Sequence, residues 1–465
     1  MAARKPKAKR MSARIAEDED YRLRHERVAG IDVAKASGMV CLRLPPEPGK
    51  ARRRSKTWEV TAAVPAIAEA AAELRAAGVE LVSMESASDY WRVWFAVLED
   101  AGLGVQLAGS SQARNLPGRP KTDKEDAARI ARLTEMGLLR RSFVPPPEIR
   151  AMRVYTRQLV HLTQDRTRYW LRLEKLPEDA LCKLTSVAPK LAGSQSCTAM
   201  IRAMIAGERD PHALAELATG PMRAKRADLV KAFTGMRSGE QHAFAAAAHL
   251  RAIEFLDAEV SALQDRVEAH LAAVPAAWGA DADGATGPGA GRGPGAAVLA
   301  AADRLDEIPG VSRQMALGLI AEIGLDMSRF PTPEALVSWA GLTPTARQSG
   351  PVKGRGKKGR GNTYAKRIAV LAAYAAANTD TFPGERFRRL ASRPGGGGRK
   401  KAGCAVGRSI LVIVWHLLND PAARYRDLGP DCHARHTDRS RKARNARRQL
   451  EALGYDVITL REDAA

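Results

Sequence analysis

Hydrophobic and polar residues at positions 28–137 follow two periods in turn, one typical of strands and one typical of helices. The two apolar runs of the first segment are joined by Ala36-Ser37-Gly38 and predict a β-hairpin. The predicted elements are, in order, the hairpin VAGIDVAKASGMVCLRL, the strand SKTWEVTAA, the helix VPAIAEAAAELRAAG, the strand VELVSME, the helix SDYWRVWFAVLEDAG, the strand GVQLAGS and a helix over DKEDAARIARL. This order of three strands, helix, strand, helix, strand, helix predicts a single α/β sheet domain.

The order of these elements is also the one found in ribonuclease-H-like nucleases. We therefore predict an α/β ribonuclease-H-like fold for residues 28–147. A basic arm, residues 1–27, precedes this domain.

A heptad pattern predicts long helices in residues 148–274. Large side chains recur at steps of three and four, and Pro177 closes the first run. The repeated positions are Met152, Tyr155, Leu159, Leu162, Arg166, Tyr169, Leu173 and Leu176, then Ile253, Leu256, Val260, Leu263 and Val267. Such short runs suit an intramolecular helical hairpin and an intermolecular coiled coil equally well, so both remain open.

The rest of the chain divides by composition. Residues 275–297 are rich in Gly, Pro and Ala and lack periodicity, which predicts a flexible linker. A mostly α domain is expected over residues 298–428, and a basic tail over 429–465. Within that domain, LDEIPGVSRQMALGLIAEIG places a Pro-Gly turn between two short apolar helices. This pattern predicts a helix-hairpin-helix whose backbone amides bind DNA phosphate, with a plain pair of packed helices as the alternative.

Charge indicates the class of partner. The chain has 74 Lys and Arg against 52 Asp and Glu, a net charge of +22, which favours binding to nucleic acid. The five cysteines are scattered and form no CxxC pair, as expected for a protein of the reducing cytoplasm. No run of apolar residues is long enough to predict a membrane span.

Four acidic residues are candidates for a functional site. Asp123 and Asp126 are one helical turn apart, and acids in a first turn capped by Thr122 are the simple interpretation. However, Asp32 interrupts an apolar strand, and Glu85 ends another. If those strands are neighbours, both carboxylates emerge at one edge, where the helix adds two more. Four such oxygen ligands predict a site for Mg²⁺ or Mn²⁺ of the kind used in phosphoryl transfer.

A second candidate lies in AGLTPTARQSGPVKGRGKKGRGNTYAKR. Small neighbours expose the hydroxyl of Ser349, and a cationic loop able to bind DNA phosphate follows it. The cations of this loop are Lys353, Arg355, Lys357, Lys358 and Arg360. A serine needs activation to attack phosphorus, and no histidine is nearby in sequence, so composition alone leaves Ser349 an ordinary loop serine.

Together these segments resemble the DEDD transposases of insertion-sequence family one-ten, regarded as bridge-RNA-guided recombinases. The resemblance covers most of residues 28–425. The matching segments are GIDVAK, MESASDYW, LPGRPKTDKEDAARIARL, IPGVSRQMALGLIAEIG, AGLTPTARQSG and GRGNTYAKR.

The resemblance implies a Holliday-junction-resolvase-like first domain in which Asp32, Glu85, Asp123 and Asp126 are the catalytic, metal-binding tetrad. It also implies that Ser349 is a nucleophile that joins DNA through a phosphoserine. The implied partners are donor and target DNA, a structured noncoding guide RNA encoded by the element, and further copies of the chain in a dimer or tetramer assembled through the helical middle. The implied location is the bacterial cytoplasm, at the nucleoid.

The predicted function is therefore a Mg²⁺-assisted transposase that cuts and rejoins DNA strands. The alternatives are a metal-dependent nuclease of the junction-resolvase type that uses water as nucleophile, and a noncatalytic nucleic-acid-packaging protein. The side chains predicted to contact nucleic acid are Arg119, Lys121, Arg347, Lys353, Arg355, Lys357, Lys358, Arg360, Lys366 and Arg367.

Overall fold

The structure is a computed structural model. It describes residues 23–85, 88–109, 122–292, 295–344, 347–349, 352–354, 361–393, 398–435 and 439–458. These residues form two compact units that divide between Val144 and Pro145.

A six-stranded sheet forms the first unit. Its strands are β1 (Val28–Val33), β2 (Ser37–Pro46), β3 (Arg53–Thr61), β4 (Leu81–Glu85), β5 (Val105–Ala108) and β6 (Arg141–Ser142). They lie in the order β3-β2-β1-β4-β5-β6. The pairs β1–β4 and β4–β5 are parallel, and the other three neighbouring pairs are antiparallel.

Within the described ranges of this unit, three helices pack on the sheet: α1 (Val64–Ala76), α2 (Trp91–Asp100) and α3 (Asp123–Glu135). Residues of α1 and α2, among them Leu74 and Trp94, share one core with Ala29 and Ile31 of β1. The alternate residues of β1 face α3, whose alanines pack on the other side of the sheet. Among the described residues of this unit, the predicted eight elements occur in the predicted order, and β6 is an additional short strand that the sequence pattern did not indicate.

The second unit is mostly helical in its described residues. Its helices are α4 (Pro147–Leu173), α5 (Leu176–Asp179), α6 (Leu184–Val187), α7 (Gln195–Ile205), α8 (Pro211–Glu216), α9 (Arg226–Phe233), α10 (Glu240–Ala272), α11 (Ala301–Asp306), α12 (Arg313–Ile323), α13 (Pro333–Trp339), α14 (Thr363–Ala376), α15 (Phe382–Ala391), α16 (Gly398–Asn419), α17 (Cys432–Arg435) and α18 (Arg439–Ala452). A two-stranded hairpin joins β7 (Arg347–Ser349) to β8 (Val352–Gly354).

The heptad positions lie in α4 and α10, which pack against each other as an antiparallel pair. The rings of Tyr155 and His270 meet edge to face at one end, and Arg166 of α4 pairs with Asp257 of α10 at 2.5 Å. The chain therefore uses these positions in an intramolecular hairpin, and an intermolecular coiled coil remains a prediction. Helix α4 ends at Leu173 rather than at Leu176, because Leu176 is the first residue of the separate helix α5, which has Pro177 in its first turn.

The prediction of a flexible linker over residues 275–297 is wrong for the part that the structure describes. Ala280 makes isolated β-bridges with Thr286 and with Val298. The indole Nε1 of Trp278 donates to the carbonyl of Ala272 at 2.8 Å, and Ala290 is buried. Composition misses this compact loop because its few contacts come from backbone groups and one tryptophan rather than from a periodic apolar face.

Helices α11 and α12 form around the predicted Pro-Gly turn and pack against each other. Every residue of α12 from Ala316 to Ile323 is buried, so this pair belongs to the core of the second unit. Contact between its turn and DNA remains a prediction.

Among the described residues, one helix, α16, has the length and apolar composition of a membrane span, and half of its apolar window is buried in the fold. It packs against α14 and α15, as the core helix of a folded domain does.

Candidate active site

The register of β1 and β4 brings two acidic residues to one edge of the sheet. Val28 lies opposite Leu81, and Ile31 lies opposite Met84. The same offset places Asp32 level with Glu85, where both parallel strands reach their carboxyl ends. Glu85 is buried with 7% of its surface exposed, and Asp32 is half-buried.

Helix α3 brings the other two acids to the same edge. The hydroxyl of Thr122 caps the helix by accepting from the backbone N–H of Glu125 at 3.3 Å, as the sequence predicts. Gly30 lies beneath the helix, and a Cβ there would stand 2.3 Å from the nitrogen of Ala131. The absence of a side chain at Gly30 therefore lets α3 lie close on β1, with Asp123 and Asp126 in its first turn.

The other three acids all act on the pKa of Asp32. Burial, followed by the negative charges of Asp126, Asp123 and Glu85, raises the pKa of Asp32 from 3.8 to about 6. Arg129 acts in the opposite direction and lowers this pKa. These contributions, together with the register of β1 and β4 and the first turn of α3, agree with the expectation that the carboxylates lie near one another, and their role as a catalytic, metal-binding set remains a prediction.

The acids do not form a closed coordination shell as they stand. In the part of the chain that the structure describes, no three His, Cys, Asp or Glu side chains are arranged to hold a metal ion. Asp126 is turned toward Arg129, whose Nη2 donates to its Oδ1 at 2.8 Å. The donor set consists of four carboxylates, and the charges of the other three raise the pKa of Asp32. Such oxygen ligands nevertheless fit a hard divalent cation.

A buried polar network fixes α3 against the strands beneath the acids. The hydroxyl of Thr134 lies 2.7 Å from the hydroxyl of Ser83, which also accepts from the amide of Gln106 at 2.6 Å. Arg141 of β6 donates to the other end of that amide at 3.0 Å. Since Ser83 is two residues before Glu85, this network holds the strand that carries the acid. Its members are separate in sequence, so no motif indicated them.

Ser349 lies at the end of β7, with its backbone paired to Val352 of β8. The structure describes only the backbone at Ser349 and at two of the predicted DNA-binding residues, Arg347 and Lys353. The other predicted cations in this region and in the loop before α3 lie outside the described residues: Arg119, Lys121, Arg355, Lys357, Lys358 and Arg360.

The two remaining predicted cations differ in their surroundings. The ammonium of Lys366 donates to the carbonyl of Gly341 at 2.9 Å, so this side chain has a role within the fold. Arg367 is exposed, and its contact with nucleic acid remains a prediction. The sequence analysis did not identify two further residues: Arg129, which donates to Asp126, and Glu322, which accepts from Asn362. The spacing of three residues between Asp126 and Arg129 could have predicted their ion pair on one helix.

Comparison with known proteins gives two matches to family models. Residues 29–178 match a model for the DEDD domain of IS110 elements, described as a transposase. Residues 302–387 match the model described as transposase IS116/IS110/IS902 family.

One curated relative and two solved structures are similar over shorter spans. The "Insertion element IS110 uncharacterized 43.6 kDa protein" of Streptomyces coelicolor is 32% identical over 117 residues, which are 25% of this chain and 28% of that protein. The Thermus thermophilus RuvC structure is 18% identical with a TM-score of 0.20, and covers 25% of this chain and 99% of that one. T. thermophilus RuvC in complex with a Holliday junction substrate is 17% identical with the same TM-score, and covers 25% of this chain and 100% of that one.

Proposed function

Since the chain belongs to the IS116/IS110/IS902 family of transposases, we propose that it cuts and rejoins DNA strands to move an insertion sequence. The observation that carries the proposal is the convergence of Asp32, Glu85, Asp123 and Asp126 from two strand ends and one helix N-terminus. Carboxylates gathered at such energetic cost are typical of a site that handles phosphodiesters.

The same four acids would hold Mg²⁺ or Mn²⁺. The chemistry gained from such a cation is neutralisation of charge on the scissile phosphate and on the leaving oxygen. To hold such a cation, Asp32 would have to be ionised. Asp126 could contribute its Oδ2, since only its Oδ1 accepts from Arg129, and the guanidinium of Arg129 would lie beside the site.

In the proposed reaction, Ser349 is the nucleophile. Its Oγ loses a proton and attacks phosphorus, an O–P bond forms, and the bond to a deoxyribose oxygen breaks, so that this oxygen leaves as a hydroxyl. A hydroxyl of another strand later attacks the phosphoserine, which forms the new DNA junction and releases the serine. Each step exchanges one phosphate ester for another, so rejoining needs no nucleotide cofactor.

The proposed partners follow from the charge and from the family. A chain of net charge +22 suits the phosphates of DNA and of a structured guide RNA encoded by the element. We propose a dimer or tetramer in which Ser349 joins the four acids in one composite site, and a location at the bacterial nucleoid. Sequencing the RNA that copurifies with the protein from its host tests guidance. Two loops should match the element ends and the insertion site, and the absence of any discrete RNA contradicts guidance.

The decisive test of the chemistry is a covalent adduct. The purified protein with its copurifying RNA is incubated with Mg²⁺ and labelled DNA that carries the element ends. We expect labelled DNA to migrate with the protein on a denaturing gel and to be released by protease. Ser349→Ala should abolish the adduct, whereas Ser392→Ala, a matched change at an exposed serine of the same unit, should leave it intact.

One observation favours a second candidate, a nuclease that uses water as nucleophile. All four acids lie in the first unit, so an activity of the junction-resolvase type needs no residue of the second. Free DNA ends without any adduct, insensitive to Ser349→Ala and lost in Asp32→Asn, would establish the nuclease and overturn the serine mechanism.

A further inference from the structure

The segment that carries Ser349 begins and ends at the same place. The backbone N–H of Asn362, just after the segment, donates to the carbonyl of Trp339, just before it, at 3.1 Å. A Cβ on Gly361 would stand 2.3 Å from the nitrogen of Gly341 and 2.5 Å from the carbonyl oxygen of Trp339. The ammonium of Lys366, after the segment, also donates to the carbonyl of Gly341, before it. The described residues on either side of the segment therefore meet at one base, which is packed too tightly for a side chain at Gly361.

A buried carboxylate lies under this base. Glu322, near the end of α12, has 1% of its surface exposed. Its two oxygens accept from Nε and Nη2 of Arg157 at 2.8 and 3.0 Å. Arg153 lies 3.3 Å from the same carboxylate and also donates to the backbone carbonyls of Ala321 and Glu322. Two arginines of α4 thus hold the carboxylate in a fixed orientation.

Asn362 connects the carboxylate to the loop. Its amide Nδ2 donates to Oε2 of Glu322 at 2.6 Å. Its Oδ1 accepts from the backbone N–H groups of Tyr364 and Ala365 at 3.0 and 2.9 Å, and so caps α14. One side chain therefore sets both the start of α14 and the point at which the loop returns to the fold.

A second contact reinforces this alignment. The guanidinium of Arg157 stacks over the ring of Tyr364, 4.5 Å from its centroid, and the hydroxyl of Tyr364 lies 3.1 Å from Nε2 of His161. Arg157 therefore touches both the carboxylate and the first turn of the helix that follows the loop.

We propose that Glu322 is a positioning residue that acts through Asn362 to fix the base of the loop carrying Ser349. The inference rests on the proposed function, in which Ser349 is the nucleophile. A fully buried carboxylate held by two arginines is a poor source of stability, because removing its charge from water offsets the attraction. Its benefit is a single geometry, and nucleophilic attack is sensitive to displacements of about 1 Å.

The test separates position from stability with two single variants and their combination. Asn362→Ser keeps a hydroxyl that caps α14 but is too short to reach Glu322, and Glu322→Gln removes the charge at similar volume. We measure the single-turnover rate of adduct formation at saturating DNA, the DNA concentration at half-saturation, and the melting temperature. The expected result is a fall in rate on the order of 10- to 100-fold in each single variant, with half-saturation unchanged.

The double variant shows whether the two residues act as a unit. If Glu322 acts through Asn362, the double variant should be no slower than the slower single variant. Rates that multiply in the double variant overturn the proposal, because they show two independent effects. Should Glu322→Gln fail to fold, Asn362→Ser alone decides, since it keeps the cap and adds no charge.

Glu268→Gln is the matched control. Glu268 is also held by an arginine of the second unit, with Nε and Nη2 of Arg313 at 2.5 and 2.8 Å. It should lower the melting temperature without changing the rate at saturation. Wild-type rates in Asn362→Ser and Glu322→Gln overturn the positioning role while the serine chemistry stands. A wild-type protein that forms no adduct at all overturns the serine chemistry, and the positioning role with it.

Discussion

Asp32 is under electrostatic strain in the candidate site. Its pKa of about 6 lies above the ordinary value of 3.8, so its proton is bound more tightly in the folded protein than in the unfolded chain. The folded state is therefore penalised once this carboxylate ionises. The penalty is absent below the unfolded pKa and is complete above the folded one. At neutral pH, the fold consequently tolerates a charge that destabilises it.

Asp32→Asn should therefore stabilise the protein while abolishing DNA cleavage. Because Asp32 is only half-buried, solvent screens part of the effect, and we expect the free energy of unfolding at about pH 7 to rise by on the order of 1 kcal/mol. The difference between variant and wild type should disappear as the pH falls below about 4. Urea denaturation of both proteins across this range measures it. A variant less stable than the wild type at neutral pH contradicts the raised pKa.

Divalent cations should relieve the same strain. If the four acids hold Mg²⁺ or Mn²⁺, millimolar metal should raise the melting temperature of the wild type, because the ligand binds only the folded state. Asp126→Ala should remove this rise. Asp89→Ala, at an exposed acid of the same unit that pairs with Arg92, should retain it. An equal rise in all three proteins would indicate general ionic binding rather than a site.

At the residue scale, the sequence predicts the acids but not their supports. The sequence pattern indicates Asp32 and Glu85, because a charged side chain within or at the end of an apolar strand is costly to bury without a partner. It also indicates Thr122 as a helix cap. No sequence pattern indicates Glu322 and Asn362. Glu322 lies in an apolar helix, many residues away in sequence from the arginines and the amide that bind its carboxylate. Contacts of this kind depend on tertiary packing, which no local pattern encodes.

At the scale of elements, the packing of α3 on β1 determines where two of the four acids lie. The close approach depends on Gly30, over which Ala127 and Ala131 of α3 pass. A methyl group at this position meets backbone atoms, which cannot rotate away. The helix must then shift outward and take Asp123 and Asp126 with it.

Gly30→Ala should therefore cost stability and activity together. We expect a loss of about 1–3 kcal/mol in the free energy of unfolding, as is usual for overpacking, and a loss of DNA cleavage greater than the unfolded fraction explains. Gly109→Ala is the control in the same unit, because nothing lies within 4 Å of a Cβ there. Full cleavage by folded Gly30→Ala protein would show that the position of α3 is not critical.

Periodicity predicted the elements well where one face of each is buried. The strands and helices of the first unit and the long helices α4 and α10 all follow the predicted patterns. It failed over residues 275–297, where backbone bridges and Trp278 create a compact loop. It also could not choose between a hairpin and a coiled coil. The same heptad face serves both, and only the packing of α4 on α10 shows the hairpin.

At the scale of the whole molecule, net charge governs encounter with nucleic acid. The excess of 22 positive charges gives a long-range attraction that any polyanion feels, and it does not by itself identify a binding surface. The dependence of binding on salt distinguishes general attraction by the whole molecule from contact through a particular surface. Each phosphate contact releases counterions and adds about 0.9 to the slope of log affinity against log salt.

The cations that follow Ser349 should therefore change this slope more than an equal number of cations elsewhere. Replacing Lys353, Arg355, Lys357 and Lys358 by Gln should reduce the slope by about 1 to 4 and weaken binding to all DNA sequences similarly. Replacing the four exposed lysines Lys175, Lys183, Lys190 and Lys231 removes the same charge from the helical part of the unit. Affinity measured from low to high salt separates the variants. Equal slopes would show that attraction by the whole molecule, rather than contact by the loop, carries DNA binding.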